Sequence, residues 1–174
     1  MPDGHTGDED IVLGCGKFGA CKLKSYRGML VAVKEFFEPC SPGTVLGEAN
    51  ILSDLKHIGI PILFGVSVAE KPYCLITQFY GIGNMSVTVD YALRQNGEIS
   101  FSSFSDSNCW HFLLELSDTL CYVHTKGYLH NDLKTDNVLI VKESTARPSD
   151  YQFGPVLIDF GKASTISNGQ MSYL

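Results

Sequence analysis

Positive charge is in short supply: 13 Lys and Arg stand against 19 Asp and Glu, a formal net charge of −6. The chain therefore lacks the broad basic footprint that a nucleic-acid backbone requires, and nucleic acid is not an expected partner. A locally basic cleft for a phosphorylated ligand stays open, because net charge governs steering and solubility rather than individual sites. No two of Cys15, Cys21, Cys40, Cys74, Cys109 and Cys121 are spaced as C-x-x-C, and no His pair stands at zinc spacing, which argues against a structural zinc module. Most of the six lie in apolar runs, where cysteine acts as a small hydrophobe, and a reducing setting is expected. No apolar run reaches the roughly 20 residues of a membrane span. Residues 1–10 are polar and acidic, without the basic-then-apolar order of a secretory leader. The expected location is cytoplasmic or nuclear, with no membrane partner. Internal repeats and low-complexity tracts are also missing.

What is present is a chain of 174 residues, 44% hydrophobic and 18% charged, ample for a real core. Alternating and β-branched stretches predict strands over Ile11–Leu13, Ala20–Ser25, Met29–Phe37, Ile62–Val68 and Tyr73–Phe79. Pro39 to Gly43 break the chain, and a helix is predicted from Thr44 to Lys56 with Val45, Ala49, Leu52 and Leu55 on one face. The first half thus reads as a small antiparallel sheet with one helix inserted after its third strand. A hinge is expected near Gln78 to Asn84. The second half predicts a long helix, Asp106 to Thr125, ended by Gly127, with Trp110, Leu113, Leu114, Leu116, Leu120 and Val123 as its apolar face. Short strands follow at Val138–Val141 and Val156–Ile158, around a polar insertion near Ser144 to Tyr151. The fold class is α+β.

Three signals carry chemistry. Gly14-x-Gly16-x-x-Gly19 would let a strand–turn–strand approach phosphates closely, because no Cβ blocks the backbone amides. An ordinary tight turn accounts for the glycines equally well. A dinucleotide fingerprint would need a helix straight afterwards, whereas Cys21-Lys22-Leu23 continue as a strand. The second signal is Val31-Ala32-Val33-Lys34 with Glu48 downstream: a lysine flanked by apolar residues is costly to bury without anionic partners, which phosphates and a helix-borne glutamate would supply. An edge-strand lysine reaching solvent, and a solvated Glu48, are the plainer alternatives. The third signal is His130-Asn131-Asp132-Leu133-Lys134-Thr135-Asp136-Asn137, followed by Asp159-Phe160-Gly161 at the end of an apolar strand. An aspartate, an asparagine five residues on and a second aspartate supply a base and the hard oxygen ligands that magnesium prefers. A turn merely rich in Asp and Asn does not readily produce the whole set in this order.

Together these motifs, from about Leu13 to Gly161, resemble the protein-kinase family. The resemblance implies a two-lobed fold with ATP between the lobes: a tail at 1–10, a small sheet lobe at 11–80 and part of a helical large lobe at 81–174. It further implies that Gly14, Gly16 and Gly19 cover the phosphates with Phe18 at the loop tip, and that Leu13, Cys21 and Ala32 contact adenine. Lys34 would hold the α- and β-phosphates and pair with Glu48. Thr77 would stand behind the adenine pocket, the backbone of Gln78 to Tyr80 would meet the adenine edge, and Leu139 would lie beneath it. Asp132 would act as base, Lys134 would neutralise the transferring phosphoryl group, and Asn137 and Asp159 would bind Mg2+. Leu52, Leu63, His130 and Phe160 would stack into an internal spine. A protein serine or threonine would be the substrate, in keeping with Lys134.

Two departures stand out. Asn131 occupies the place where the family usually has an arginine that pairs with a phosphorylated activation loop, which puts regulation by that route in doubt. Cys21 replaces the usual valine. No A-P-E motif follows Gly161, so an incomplete large lobe is expected, with an apolar helix face around Trp110, Leu113 and Leu120 left exposed and little activity towards protein substrates. A small-molecule or atypical kinase, and a non-catalytic nucleotide-binding scaffold, are the competing readings.

Overall fold

The computed structural model describes residues 11–94, 104–142 and 153–166. The polar tail at 1–10 and the polar insertion near Ser144 to Tyr151 lie outside the described residues.

Five strands form one antiparallel sheet in the order β1-β2-β3-β5-β4: β1 Ile11–Cys15, β2 Gly19–Tyr26, β3 Met29–Phe36, β4 Leu63–Ser67 and β5 Cys74–Gln78. Between β3 and β4 lies helix α1, Pro42–Asp54. It starts two residues before the predicted Thr44 and ends two before Lys56. The Ser41 Oγ accepts from the Thr44 N–H at 3.2 Å, and Pro42 fills the first position. Proline is tolerated there because that N–H has no partner in a helix, so Pro42 and Gly43 open the helix instead of breaking the chain. Val45, Ala49 and Leu52 are buried along its inner face, together with Glu48.

The second half begins with a short helix that the sequence reading did not predict, α2, Val89–Arg94. Helix α3, Asp106–Thr125, has the predicted bounds, opened by the Ser105 Oγ accepting from the Asn108 N–H at 3.2 Å. The predicted apolar face divides: Val123, Leu116 and Leu120 turn towards the core, whereas Trp110 and Leu113 are left exposed, as expected, and Leu114 with them. Phe112, Thr119 and Val123 are buried, and Leu116 and Leu120 pack half-buried beside them. Trp110 is 68% exposed, Leu113 51% and Leu114 67%. Phe112 and Thr119, which the apolar spacing did not single out, complete the buried side.

After α3 come β6 (Tyr128–Leu129), a 3₁₀ turn (Thr135–Asn137), β7 (Val138–Lys142), β8 (Phe153–Leu157), a second 3₁₀ turn (Phe160–Lys162) and β9 (Ser164–Thr165). β8 was expected at Val156–Ile158; it begins three residues earlier, through Gly154 and Pro155. It pairs with β7, Pro155 lying opposite Ile140, and a proline is accommodated in a strand with only one neighbour. β6 and β9 pair antiparallel, Leu129 opposite Ser164. One apolar cluster runs through both halves, from Phe36 and Leu75 of the sheet through α1 to Val123, Ile140 and Phe160. None of the six cysteines is buried and all are free; Cys15 and Cys121 are exposed and the others half-buried. Cys40 packs against the core and burial acts on Cys21, so the small-hydrophobe reading suits these two and not the exposed Cys15 and Cys121.

Candidate active site

The first cluster is built by β3, α1 and the segment after β8. Lys34 faces Glu48 because Glu48 sits one residue before Ala49, on the flank of the buried face of α1. The Lys34 Nζ donates to Glu48 Oε1 at 2.9 Å, to Glu48 Oε2 at 2.8 Å and to Asp159 Oδ1 at 2.7 Å. Burial works to lower the Lys34 ammonium, but the two carboxylates outweigh it and hold it above its ordinary range. Glu48, only 4% exposed, is pushed up by burial and pulled back by Lys34. With the ammonium within 2.9 Å of both its oxygens, the pair is ionised; an unpaired buried carboxylate would be far costlier.

The second cluster belongs to the loop between β6 and β7. The Asp132 Oδ1 accepts from the Lys162 Nζ at 2.8 Å and its Oδ2 from the Asn137 Nδ2 at 3.2 Å, while the Lys134 Nζ lies 3.8 Å from Oδ2. The Lys162 hydrogen bond, followed by the charge of Lys134, holds the Asp132 carboxyl below the usual carboxylate range. His130, buried beneath, is kept neutral by that burial. Its Nε2 donates to the Ile158 carbonyl at 3.0 Å, leaving Nδ1 to accept the Asp132 N–H at 3.3 Å. One imidazole thus fixes the backbone of Asp132 to the strand leading into Asp159. The His130 ring also meets Phe160 edge-on at 4.8 Å. Phe160 and Leu52 belong to the common core, with Leu63 packed against it.

Non-glycine residues with positive φ are rare, and two lie here: Asn131 at 61° and Asp159 at 64°. Their short polar side chains tolerate the left-handed region better than most. The turn at Asp159 sends its carboxylate to Lys34 while Phe160 goes to the core.

The strand register places the remaining predicted positions. Cys21 lies opposite Lys34, and Ala32 lies between Leu23 and Thr77. Thr77 also pairs with Leu63, Gln78 ends β5 opposite Val31, and the Tyr80 hydroxyl donates to the Gln78 Oε1 at 3.1 Å. Burial pushes the Cys21 thiol up to about 11, so it stays protonated. Gly14 lies within β1, half-buried Leu13 precedes it, Gly16 is in the turn, and Gly19 opens β2 with no room for a Cβ beside Glu35. Phe18 is exposed at that turn, and Leu139 is buried in β7. A cavity of about 290 Å³ lined by Phe36, Cys40, Lys71 and Tyr73 touches neither cluster, while one of about 310 Å³ beside α3 is lined by Lys134 with Leu113, Leu133 and Val138.

Among the described residues no group of three or more His, Cys, Asp or Glu side chains is placed for a metal. The donor set instead suits magnesium, which commonly takes one or two protein oxygens and fills its shell with phosphate and water. Asn137 spends its amide hydrogens on the Asp132 carbonyl and carboxylate, which leaves its oxygen for a cation. Asp159 spends Oδ1 on Lys34 and keeps Oδ2.

Sequence reasoning passed over Lys162. A lysine directly after Asp159-Phe160-Gly161 was the visible signal, but no spacing rule ties it to Asp132. Nor did it foresee what Asn131 holds: its Nδ2 donates to the Lys162 carbonyl at 3.1 Å and to the Ser164 Oγ at 2.8 Å.

The model of the protein tyrosine and serine/threonine kinase family matches residues 9–169. A probable serine/threonine-protein kinase of Dictyostelium discoideum is 27% identical over 162 residues, covering 90% of this chain. The chain spans 29% of that relative's length. With a match that runs from the start of the sheet past β9, over both clusters, the chain belongs to the protein kinase family.

Proposed function

We propose that the protein transfers the γ-phosphoryl group of Mg-ATP to a serine or threonine hydroxyl of a protein. One observation carries this reading: residues 159–162 hold both clusters, Asp159 on Lys34 and Lys162 on Asp132. A cation-dependent phosphate site and a base are thereby fixed to a single four-residue segment.

Each residue then has a task. Lys34, oriented by Glu48, binds the α- and β-phosphates, and Gly14, Gly16 and Gly19 admit the phosphates close to the backbone. Leu13, Cys21, Ala32, Thr77, Gln78, Tyr80 and Leu139 enclose the base of the nucleotide. Asn137 and Asp159 hold Mg2+, which when bound neutralises charge on the phosphate oxygens. Asp132 orients the acceptor hydroxyl and takes its proton late. The hydroxyl oxygen bonds to the γ-phosphorus, and the bond to the bridging oxygen breaks with its electron pair leaving on ADP. Lys134 offsets charge on the group in flight. Positioning and charge neutralisation carry most of the rate in such a loose transition state.

The test is incubation with labelled ATP, magnesium and a generic serine/threonine substrate, with Asp132→Asn as control. Labelled phosphoserine or phosphothreonine that disappears in the control supports the reading. Nucleotide binding without transfer would assign the chain to a binding module instead.

A further inference from the structure

Among the described residues Lys162 is the cation nearest the base, nearer than Lys134 by a full ångström, at 2.8 Å against 3.8 Å. Its position is not accidental to an exposed side chain. Its carbonyl accepts from the Asn131 Nδ2, its neighbour Ala163 donates to the Phe160 carbonyl at 3.0 Å, and the Ser164 Oγ accepts from the same Asn131 amide. Beyond it, β9 pairs with β6, and the Ile166 N–H reaches the Gly127 carbonyl at 2.7 Å. The exchange is reciprocal: Asn131 grips the backbone of Lys162, and the side chain of Lys162 grips Asp132, the residue after Asn131.

We propose that Lys162 is a positioning residue for phosphoryl transfer, clamping the Asp132 carboxylate in one orientation, and that Asn131 acts through it.

Without Lys162 the carboxylate keeps a single hydrogen bond through its side chain, the 3.2 Å contact to Asn137, and can turn about its own torsions. The clamp also ties the base to the segment that carries Asp159, so that the acceptor hydroxyl and the phosphate site keep a common frame. A carboxylate oxygen has two lone pairs, so Oδ1 can accept from Lys162 and from an acceptor hydroxyl together. Half-exposed ion pairs add little to folding stability, and misplacement of a reacting group by about 1 Å costs on the order of a hundredfold in rate. The consequence of losing Lys162 therefore falls on turnover rather than on the fold.

This rests on the proposed kinase reading, and the test separates the two. Lys162→Met is expected to lower kcat about ten- to a hundredfold with the melting temperature and the KM for ATP unchanged, and Lys162→Arg to recover to within about threefold. Asn131→Gly, which accepts the positive φ, should also lower kcat, with no further loss when combined with Lys162→Met. Unchanged or raised kcat in Lys162→Met overturns the clamp, and additive losses overturn the part given to Asn131. If the unaltered protein transfers no phosphate, the kinase reading fails by itself and the clamp is judged without turnover. Lysines are then reductively dimethylated with a carbon-13 label, and the Lys162 signal is identified by its loss in Lys162→Arg. A signal that moves in Asp132→Asn upholds the clamp; one that stays put overturns it.

Discussion

Gly161 leaves room for Glu48: a Cβ built on it comes within 3.1 Å of the Glu48 Oε2 and 3.3 Å of the Asp159 Oδ1. Both carboxylates are already held by Lys34, so neither can retreat without lengthening an ion pair. Gly161→Ala is expected to cost about 1 kcal/mol of stability, at the low end of overpacking. It should also weaken Mg-ATP binding severalfold. A thermal melt and a calorimetric titration check the two effects, and heats identical to those of the parent protein would contradict the second.

Lys34→Met removes the cation from a buried carboxylate, and breaking such a pair from one side costs about 3 kcal/mol. The loss should depend on pH. Burial already pushes Glu48 up, and without Lys34 nothing nearby pulls it back. Its folded-state pKa then lies above the unfolded one, so the folded protein holds the proton longer and stability falls as pH rises past the unfolded carboxyl range. The variant should melt closer to the parent at pH 5 than at pH 8. Adding Glu48→Gln should flatten that difference without restoring nucleotide binding.

The two aspartates should separate. Asp159→Asn is expected to lose magnesium-dependent nucleotide binding, whereas Asp132→Asn keeps nucleotide affinity and loses transfer. Calorimetry with and without magnesium, beside a transfer assay, distinguishes them; equal loss of binding in both would refute the division.

Which of these features could be read in advance follows from how local their cause is. Helix α3 was placed at both ends because its apolar spacing runs unbroken from Asp106 and Gly127, at positive φ, ends it by its own chemistry. Helix α1 was misplaced by two residues because Pro42 reads as a breaker until Ser41 is known to cap it. β8 was cut short for a similar reason: Gly154-Pro155 deters a strand only where two neighbours need its N–H groups. The exposure of Trp110 was expected, but the burial of Phe112 and Thr119 was not, since neither belongs to the face that the apolar spacing draws. At the site, the order along the chain singled out Lys34, Glu48, Asp132, Asn137 and Asp159, and the fold gathers Lys34, Glu48 and Asp159 in one cluster and Asp132 with Asn137 in the other. The hold of Lys162 on Asp132 spans 30 residues and depends on a turn at Asp159, and nothing in the intervening sequence announces it.

A fourth expectation concerns packing alone. A Cβ on Gly59 would run into the side chain of buried Thr119, while the Gly59 carbonyl accepts the Leu157 N–H at 2.8 Å. Gly59→Ala should destabilise by about 1–3 kcal/mol. Thr119→Ala in the same chain should recover part of it, since the two changes share one space. Chemical denaturation of both variants and the pair checks this; additive losses would contradict it.

The face of α3 that carries Trp110 and Leu114 predicts the opposite. Trp110→Ser with Leu114→Gln should leave stability within about 0.5 kcal/mol, as exposed positions do, and should reduce self-association, since exposed apolar patches favour it. Denaturation midpoints and light scattering provide the comparison, and a large loss of stability would show that the face is covered in solution.

The triad around Lys34 has a thermodynamic corollary. One ammonium shared by two carboxylates leaves that corner with a net charge of −1, so a bare triphosphate meets repulsion before it meets its lysine. On the proposed reading, each of two guests improves the reception of the other: the cation reverses the sign of the corner, and the phosphates complete the cation's shell. Linkage makes that help equal in both directions. Nucleotide should raise magnesium affinity by the same factor as magnesium raises nucleotide affinity, so that between two weak solitary equilibria and one joint occupancy the site behaves as a logical conjunction.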